Sequence, residues 1–373
     1  MQSTLEAKGL RRAPNSTLGD LMDVVASRRQ SQHDFVARAD QLYVDDKSGC
    51  LVARQAGYRE FRLRTLATNQ LANRLGVPGQ YLLKCPSELV AENVNHWLSE
   101  QPDRQFLVRC NGDEVRAVLS SHYSPVDHEL LLSWVGESVG RDAQVRYELS
   151  EEQLVLQLVN RREHGTVHDR LHTGVNIRNS EVGLSCVEVS GLLFRTICLN
   201  GLILRGGEEN WTRRHIGNVE LADEVRNAIS RVQDAAAAGT SRFAGLQSIR
   251  VPNMTALFER ITRHYELTEA EHNTVLAAHS IEPGDTLYAG VNAVTRAGNA
   301  YDLPLDSRMK LQEIGGRGRS TLAERNKGSR EGRWTPFPQL RRASRRGCTP
   351  HAGPDWRANV HGGTRWGSCS ACP

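Results

Sequence analysis

The stretch Phe106-Leu107-Val108-Arg109-Cys110-Asn111-Gly112-Asp113-Glu114-Val115-Arg116-Ala117-Val118-Leu119 decides the fold class. Two apolar runs flank Asn111-Gly112, a pair that tolerates positive φ at both turn positions, so the segment reads as a β-hairpin. Downstream, Ser124-Pro125-Val126-Asp127 reads as a capping box with Pro at the first helical position. The helix it opens runs through Leu130, Leu131, Trp134 and Val135 and ends near Gly140. Ala143, Val145, Tyr147 and Leu149 then alternate with polar residues, and Leu154, Leu156 and Leu158 repeat the pattern, which marks two half-buried strands. Gly174 to Arg178 and Leu184 to Val189 form a second hairpin around Asn179-Ser180-Glu181. The run Leu192, Leu193, Phe194, Ile197, Leu199 is apolar on all sides, which signals burial as helix or strand.

Helical spacing dominates further out. Leu221 to Gly239 carries an apolar stripe, Asn253 caps a helix through Met254, Leu257, Phe258 and Ile261, and Thr268-x2-Glu271 is a capping box for Val275 to Ile281. Thr286 to Ala297 reads as one more helix. On the N-terminal side, residues 1–16 read as a flexible leader, Thr17 to about Gln41 as a helix, Asp45 to Gly49 as the bend of a hairpin, and Leu63 to Leu75 as a helix stopped at Gly76-Val77-Pro78. That last stop imitates a helix-turn-helix, but the following Gly79-Gln80-Tyr81-Leu82-Leu83-Lys84 is short and apolar where a DNA reader needs polar residues. The resulting fold class is α+β: a central, mainly antiparallel sheet built from hairpins, flanked by helices at both ends.

The 373 residues carry a formal net charge of +4, unevenly spread. Leu311 to Pro373 holds 12 Lys/Arg against 4 Asp/Glu, which leaves 35 against 39 for residues 1–310. The body is mildly acidic, so the basic average says nothing of nucleic-acid binding by the body. No apolar run is long enough to span a membrane, and the start lacks a secretory signal, so a cytoplasmic protein is expected. Residues 315–373 form a basic, low-complexity tail that cannot bury enough apolar surface to fold alone. It reads either as a polyanion-attracting arm or as a disordered or out-of-frame segment. Cys348, His351, Cys369 and Cys372 have spacing acceptable for zinc, but no hydrophobic frame surrounds them. Cys50, Cys85, Cys110, Cys186 and Cys198 lie in apolar stretches and read as buried, reduced thiols.

No nucleotide-binding loop, nucleophile elbow or metalloprotease motif is present. His164, His168 and His172 share one face of a strand but stand too far apart for one ion, so neither a metal nor another cofactor is expected.

One segment is more distinctive: Gly174-Val175-Asn176-Ile177-Arg178-Asn179-Ser180-Glu181-Val182-Gly183, followed by Val189-Ser190-Gly191-Leu192-Leu193-Phe194-Arg195-Thr196-Ile197-Cys198-Leu199-Asn200-Gly201-Leu202-Ile203. With Leu75-Gly76-Val77-Pro78, Ala117-Val118-Leu119-Ser120-Ser121-His122-Tyr123 and Val291-Asn292-Ala293-Val294-Thr295-Arg296, it resembles the phage and plasmid-like proteins grouped as domain of unknown function 932. The resemblance covers roughly residues 20 to 315, the span read as a single α+β domain over 17–314. It implies a protein of a mobile genetic element and supplies no mechanism.

The residues themselves suggest a nucleic-acid groove. Arg178 and Arg195 would meet phosphates, Asn179, Ser180 and Asn200 would meet sugar or base edges, and Tyr123 or Trp211 would stack a base. Arg213 and Arg214 add exposed charge beside Trp211. The partner expected is single- or double-stranded DNA, in an accessory role in DNA metabolism. The competing structural reading pairs Arg195 with Glu181 or Glu188 and uses the asparagines as turn caps. Two other classes remain: a non-catalytic protein-interaction or host-modulating factor, and an enzyme using Cys198, His122 or His215 and Asn200. Burial would quiet Cys198.

Overall fold

The computed structural model describes residues 11–166, 169–195, 200–204, 210–217 and 221–323; for 11–15, 160–166, 169–170, 194–195, 200–202, 204, 242 and 318–323 it describes the backbone alone. The chain begins with β1 (Arg11–Thr17), α1 (Leu18–Arg29), β2 (Gln32–Arg38), β3 (Leu42–Val44), β4 (Leu51–Ala53) and β5 (Arg59–Leu63). It continues with α2 (Thr65–Leu75), α3 (Gly79–Leu82), α4 (Ser87–Ser99), β6 (Gln105–Asn111), β7 (Glu114–Ser120) and α5 (His128–Val139). Next come β8 (Gln144–Leu149), β9 (Leu154–Thr166), β10 (Asp169–Asn179), β11 (Val187–Arg195), β12 (Asn200–Leu204) and β13 (Asn210–Arg213). Helices α6 (Leu221–Ala244), α7 (Met254–Tyr265), α8 (Glu269–Ile281), α9 (Leu287–Ala297) and α10 (Leu305–Ala323) follow.

Two sheets result. The larger has the order β1-β8-β9-β10-β11-β12, and β13 shares one edge of β11 with β12. The smaller runs β2-β6-β7-β5-β4-β3. Among the described residues, all strand pairs are antiparallel except the short β5–β7 contact. The fold class expected from the sequence is therefore the one observed.

Period-2 alternation fixes which face of the large sheet is covered. Tyr147, Leu149, Leu154, Leu156, Leu158, Val175, Ile177, Val187 and Val189 pack under Leu18 and Leu21 of α1, Leu131 and Leu132 of α5, and Val225 and Ile229 of α6. Out of phase with them, Val155, Leu192 and Ile203 meet Met309 of α10 on the opposite face. In the smaller sheet Phe61, Phe106, Val108 and Val118 pack against Leu71 and Leu75 of α2 and Leu98 of α4. A fully buried leucine truncated to alanine in such layers costs about 2–5 kcal/mol.

Several sequence expectations need correction. Arg11–Ser16, read from the sequence as part of a leader, forms with Thr17 a strand on β8, its tertiary pairing overriding a weak local pattern. The helix expected to reach Gln41 stops at Arg29, and Gln32–Arg38 pairs with β6. The hairpin turn is Gly112-Asp113, one residue later than read, with positive φ at Gly112 and Asn111 paired to Glu114. Gly315 onward continues α10 as far as Ala323, so the expected tail does not begin there; residues 324–373, with the candidate zinc ligands, lie outside the described residues.

Candidate functional site

The two sheets meet through buried charge. Arg109 sits in β6 between apolar neighbours and is fully buried. Its Nε donates to Asp34 at 3.1 Å, Nη1 to the Glu181 carbonyl at 2.7 Å and Nη2 to the Asp127 carboxylate at 2.5 Å. Opposite it, the β6–β7 register shifts between Arg109↔Ala117 and Cys110↔Val115, which makes Arg116 the extra residue of a bulge. A bulge re-aims a side chain. Here Arg116, 3% exposed, directs Nη2 to Glu181 Oε2 at 2.7 Å.

Glu181 serves both sheets. Its Oε1 accepts the His128 N–H at 2.8 Å, capping α5 from a distant turn. The expected local capping box is therefore not formed: α5 begins at His128, and the Asp127 side chain binds Arg109 and Arg29 instead. Burial opposes the charge on Glu181, but His128, Arg116 and the hydrogen bonds outweigh it and hold the carboxyl at about 2. Burial also lowers His128, which exchanges a 3.0 Å hydrogen bond with Asn179. His215, stacked on Tyr123 at 4.9 Å, is lowered by burial to about 4, and neither ring nitrogen has a partner.

Most of the candidate residues from the sequence fall at this junction. Asn179 donates to the Val126 carbonyl at 2.8 Å and Ser180 to the Glu152 carbonyl at 2.7 Å, both without exposed surface. Tyr123 donates to the Ser180 carbonyl at 3.0 Å, and burial raises its phenol. Arg178 binds Gln153 and Asp306 at 2.7 and 2.8 Å, so its guanidinium is engaged internally. Trp211 leans on the core of the large sheet, so its ring is partly committed to packing. Arg213 and exposed Arg214 have no ion-pair partner among the described residues.

Arg195 and Asn200 lie elsewhere. They are direct cross-strand partners where β11 and β12 end. The register continues across the sheet through Leu171 of β10 to His164 of β9. Arg161, Arg162 and Arg170 belong to the same end, together with Glu163 and Asp169. Along β9, seven to ten residues separate Arg161 and His164 from Leu154 beside the junction, a distance of roughly 23–33 Å.

Cysteine chemistry finds little support in the geometry. Cys110 is free, and burial pushes its thiol up to about 12. Cys50 and Cys85 are free but only half-buried, and Cys186 is disulfide-bonded, so the expectation of five buried reduced thiols fails. Cys198 and His168 lie outside the described residues. No group of three His, Cys, Asp or Glu able to hold a metal occurs among the described residues. No described helix is long and apolar enough to cross a membrane.

The network of Arg109, Arg116, Asp34, Asp127, His128 and Glu181 was missed in the sequence. A signal existed. An arginine inside Phe-Leu-Val-Arg-Cys needs a partner for the same reason as one inside Leu-Leu-Phe-Arg-Thr.

These features define an α+β protein whose two antiparallel sheets are joined through buried ion pairs. A family model described as domain of unknown function (DUF932) matches residues 116–303, and the chain belongs to that family. The match begins at the bulged Arg116 and includes Asp127, His128 and Glu181. No curated protein and no solved structure matches the chain.

Proposed function

We propose that the protein is a nucleic-acid-binding accessory factor of a phage- or plasmid-type element, with its binding surface at the hairpin end of the large sheet. One observation supports this reading. Strand pairing brings Arg170 and Arg195 to one end of the sheet, and Arg161 and Arg162 precede that end in β9, where the register shifts, with Glu163 and Asp169 as the acidic residues of the same segments. Four guanidiniums against two carboxylates leave a local surplus of positive charge on a body that is otherwise mildly acidic. Phosphate oxygens meet such a surplus with charge-assisted hydrogen bonds, and paired strands fit a nucleic-acid groove. Asn200, cross-strand from Arg195, adds one amide able to donate and accept at a base or sugar edge.

Fluorescence anisotropy with single- and double-stranded DNA tests the proposal. The full chain is compared with R161Q/R162Q/R170Q/R195Q and with R341Q/R342Q/R345Q/R346Q. The first variant loses affinity by about tenfold or more, and the second keeps most of it. The opposite pattern assigns binding to the basic C-terminal segment. Absence of binding by every form rejects the nucleic-acid role.

A further inference from the structure

At the opposite end of the large sheet a small cleft lies between α1, the β8–β9 turn and the start of α5. Arg28 and Arg29 of α1, Gln32 of β2, Arg116 of β7, and Glu129 and Glu181 line it. Its carboxylates and guanidiniums are unequally satisfied. Glu181 is fully engaged by Arg116 and the His128 N–H, and Glu151 is held by Arg64 at 2.9 Å. By contrast, Arg116 Nε and Nη1 and Arg29 Nη1 are buried without any acceptor. Arg116 is 3% exposed, so these nitrogens are not simply facing bulk water.

Buried guanidinium N–H groups without acceptors are costly. The bulge that turns Arg116 inward creates this demand at one place, and α1 brings Arg28 and Arg29 to the same walls. Arg29 reaches only 3.4 Å from Asp127, whose carboxylate is already taken by Arg109 at 2.5 Å. The unmet requirement inside the cleft is therefore for acceptor oxygens carrying negative charge. Glu129, which also lines the cleft, is exposed to solvent.

We propose that this cleft is a binding site for a small phosphate-type oxyanion, either inorganic phosphate or the phosphate group of a small metabolite, held by Arg28, Arg29 and Arg116. The site is separate from the hairpin end, and its occupancy does not depend on nucleic-acid binding there.

The full chain is titrated with inorganic phosphate at constant ionic strength, by calorimetry and by thermal melting, with acetate as a monocarboxylate control. Saturable binding that raises the melting temperature below about 50 mM phosphate is expected, with a weaker response to acetate. R28Q/R29Q, on a half-exposed helix face, should weaken phosphate binding by at least about tenfold while melting normally in chloride. Q32E adds a carboxylate to the wall without touching the core and should abolish binding, which keeps the test decisive if the double variant folds poorly. A small phosphorylated metabolite that binds more tightly than phosphate identifies the second source. A phosphate response absent in the parent protein, or unchanged in both variants, overturns the proposal and assigns the orphaned nitrogens to hydration.

Discussion

The two ends of the large sheet use arginine in opposite ways. At the junction, buried Arg109 and Arg116 and half-buried Arg29 meet Asp34, Asp127 and Glu181, three cations on three carboxylates. At the hairpin end, four arginines share their segments with two carboxylates. The first arrangement fixes how two sheets meet, and the second is the surplus of positive charge on which the proposed function rests. Arginine content alone does not locate a binding surface, because buried carboxylates engage Arg109 and Arg116.

The largest effect should come from breaking the junction. Glu181→Gln leaves Arg116 without a charged partner and weakens the cap of α5, so unfolding in urea should show a loss of about 3–5 kcal/mol. A loss below about 1 kcal/mol would reduce the junction to an ordinary surface pair. The hairpin-end DNA affinity of the folded fraction should not change.

Acid should act on the same end. The unfolded His215 imidazole takes up a proton below about 6.5, whereas the buried native ring does so only near 4. Protons thus favour the unfolded chain within that window, and stability falls as pH drops through it. His215 alone accounts for up to about 3 kcal/mol. His128 adds in the same direction. Below that window Glu181, held near 2, continues the loss as pH falls from 4.5. His215→Phe keeps the stack on Tyr123 and should flatten the decline between pH 6.5 and 4, read from denaturation midpoints at each pH.

A third change separates the two ends. Gly174 lies beside the β9–β10 irregularity, and a Cβ there would stand 2.1 Å from the Leu158 carbonyl oxygen. Gly174→Ala should cost about 1–3 kcal/mol by forcing the strands apart. Because register beyond this point aligns the arginine segments, DNA affinity should fall with it, measured by anisotropy on the folded protein. Unchanged affinity would uncouple DNA binding from the register of the hairpin end.

Strand periodicity made much of this architecture legible. The alternation at Val145–Leu149 and Leu154–Leu158, the caps at Asn253 and Thr268, and Gly112 in the first hairpin all carry local signals that the structure retains. The strands at Arg11–Thr17 and Gln32–Arg38 were illegible because distant partners, β8 and β6, determine them. The junction was hidden for a related reason. Ser124-Pro125-Val126-Asp127 looks self-sufficient as a cap, yet Glu181 supplies the acceptor from more than fifty residues away. Asn179 and Ser180 stand out in the sequence as polar groups beside an apolar run, yet their side chains bind internal carbonyls.

The smallest effect concerns β13. Arg213→Gln with Arg214→Gln removes unpaired, partly exposed charge, so stability should stay within about 0.5 kcal/mol. DNA affinity should shift less than in the hairpin-end variant, by the same anisotropy assay. A larger shift would move the interface to the junction end.

The salt dependence of DNA affinity tests the central claim most directly. With four arginines on phosphates, the logarithm of the association constant for duplex DNA should fall against the logarithm of salt with a slope of about −3 to −4. R161Q/R162Q/R170Q/R195Q should bring that slope close to zero while the melting temperature holds. A slope unchanged by the four substitutions would contradict the account and remove the hairpin end as the nucleic-acid surface.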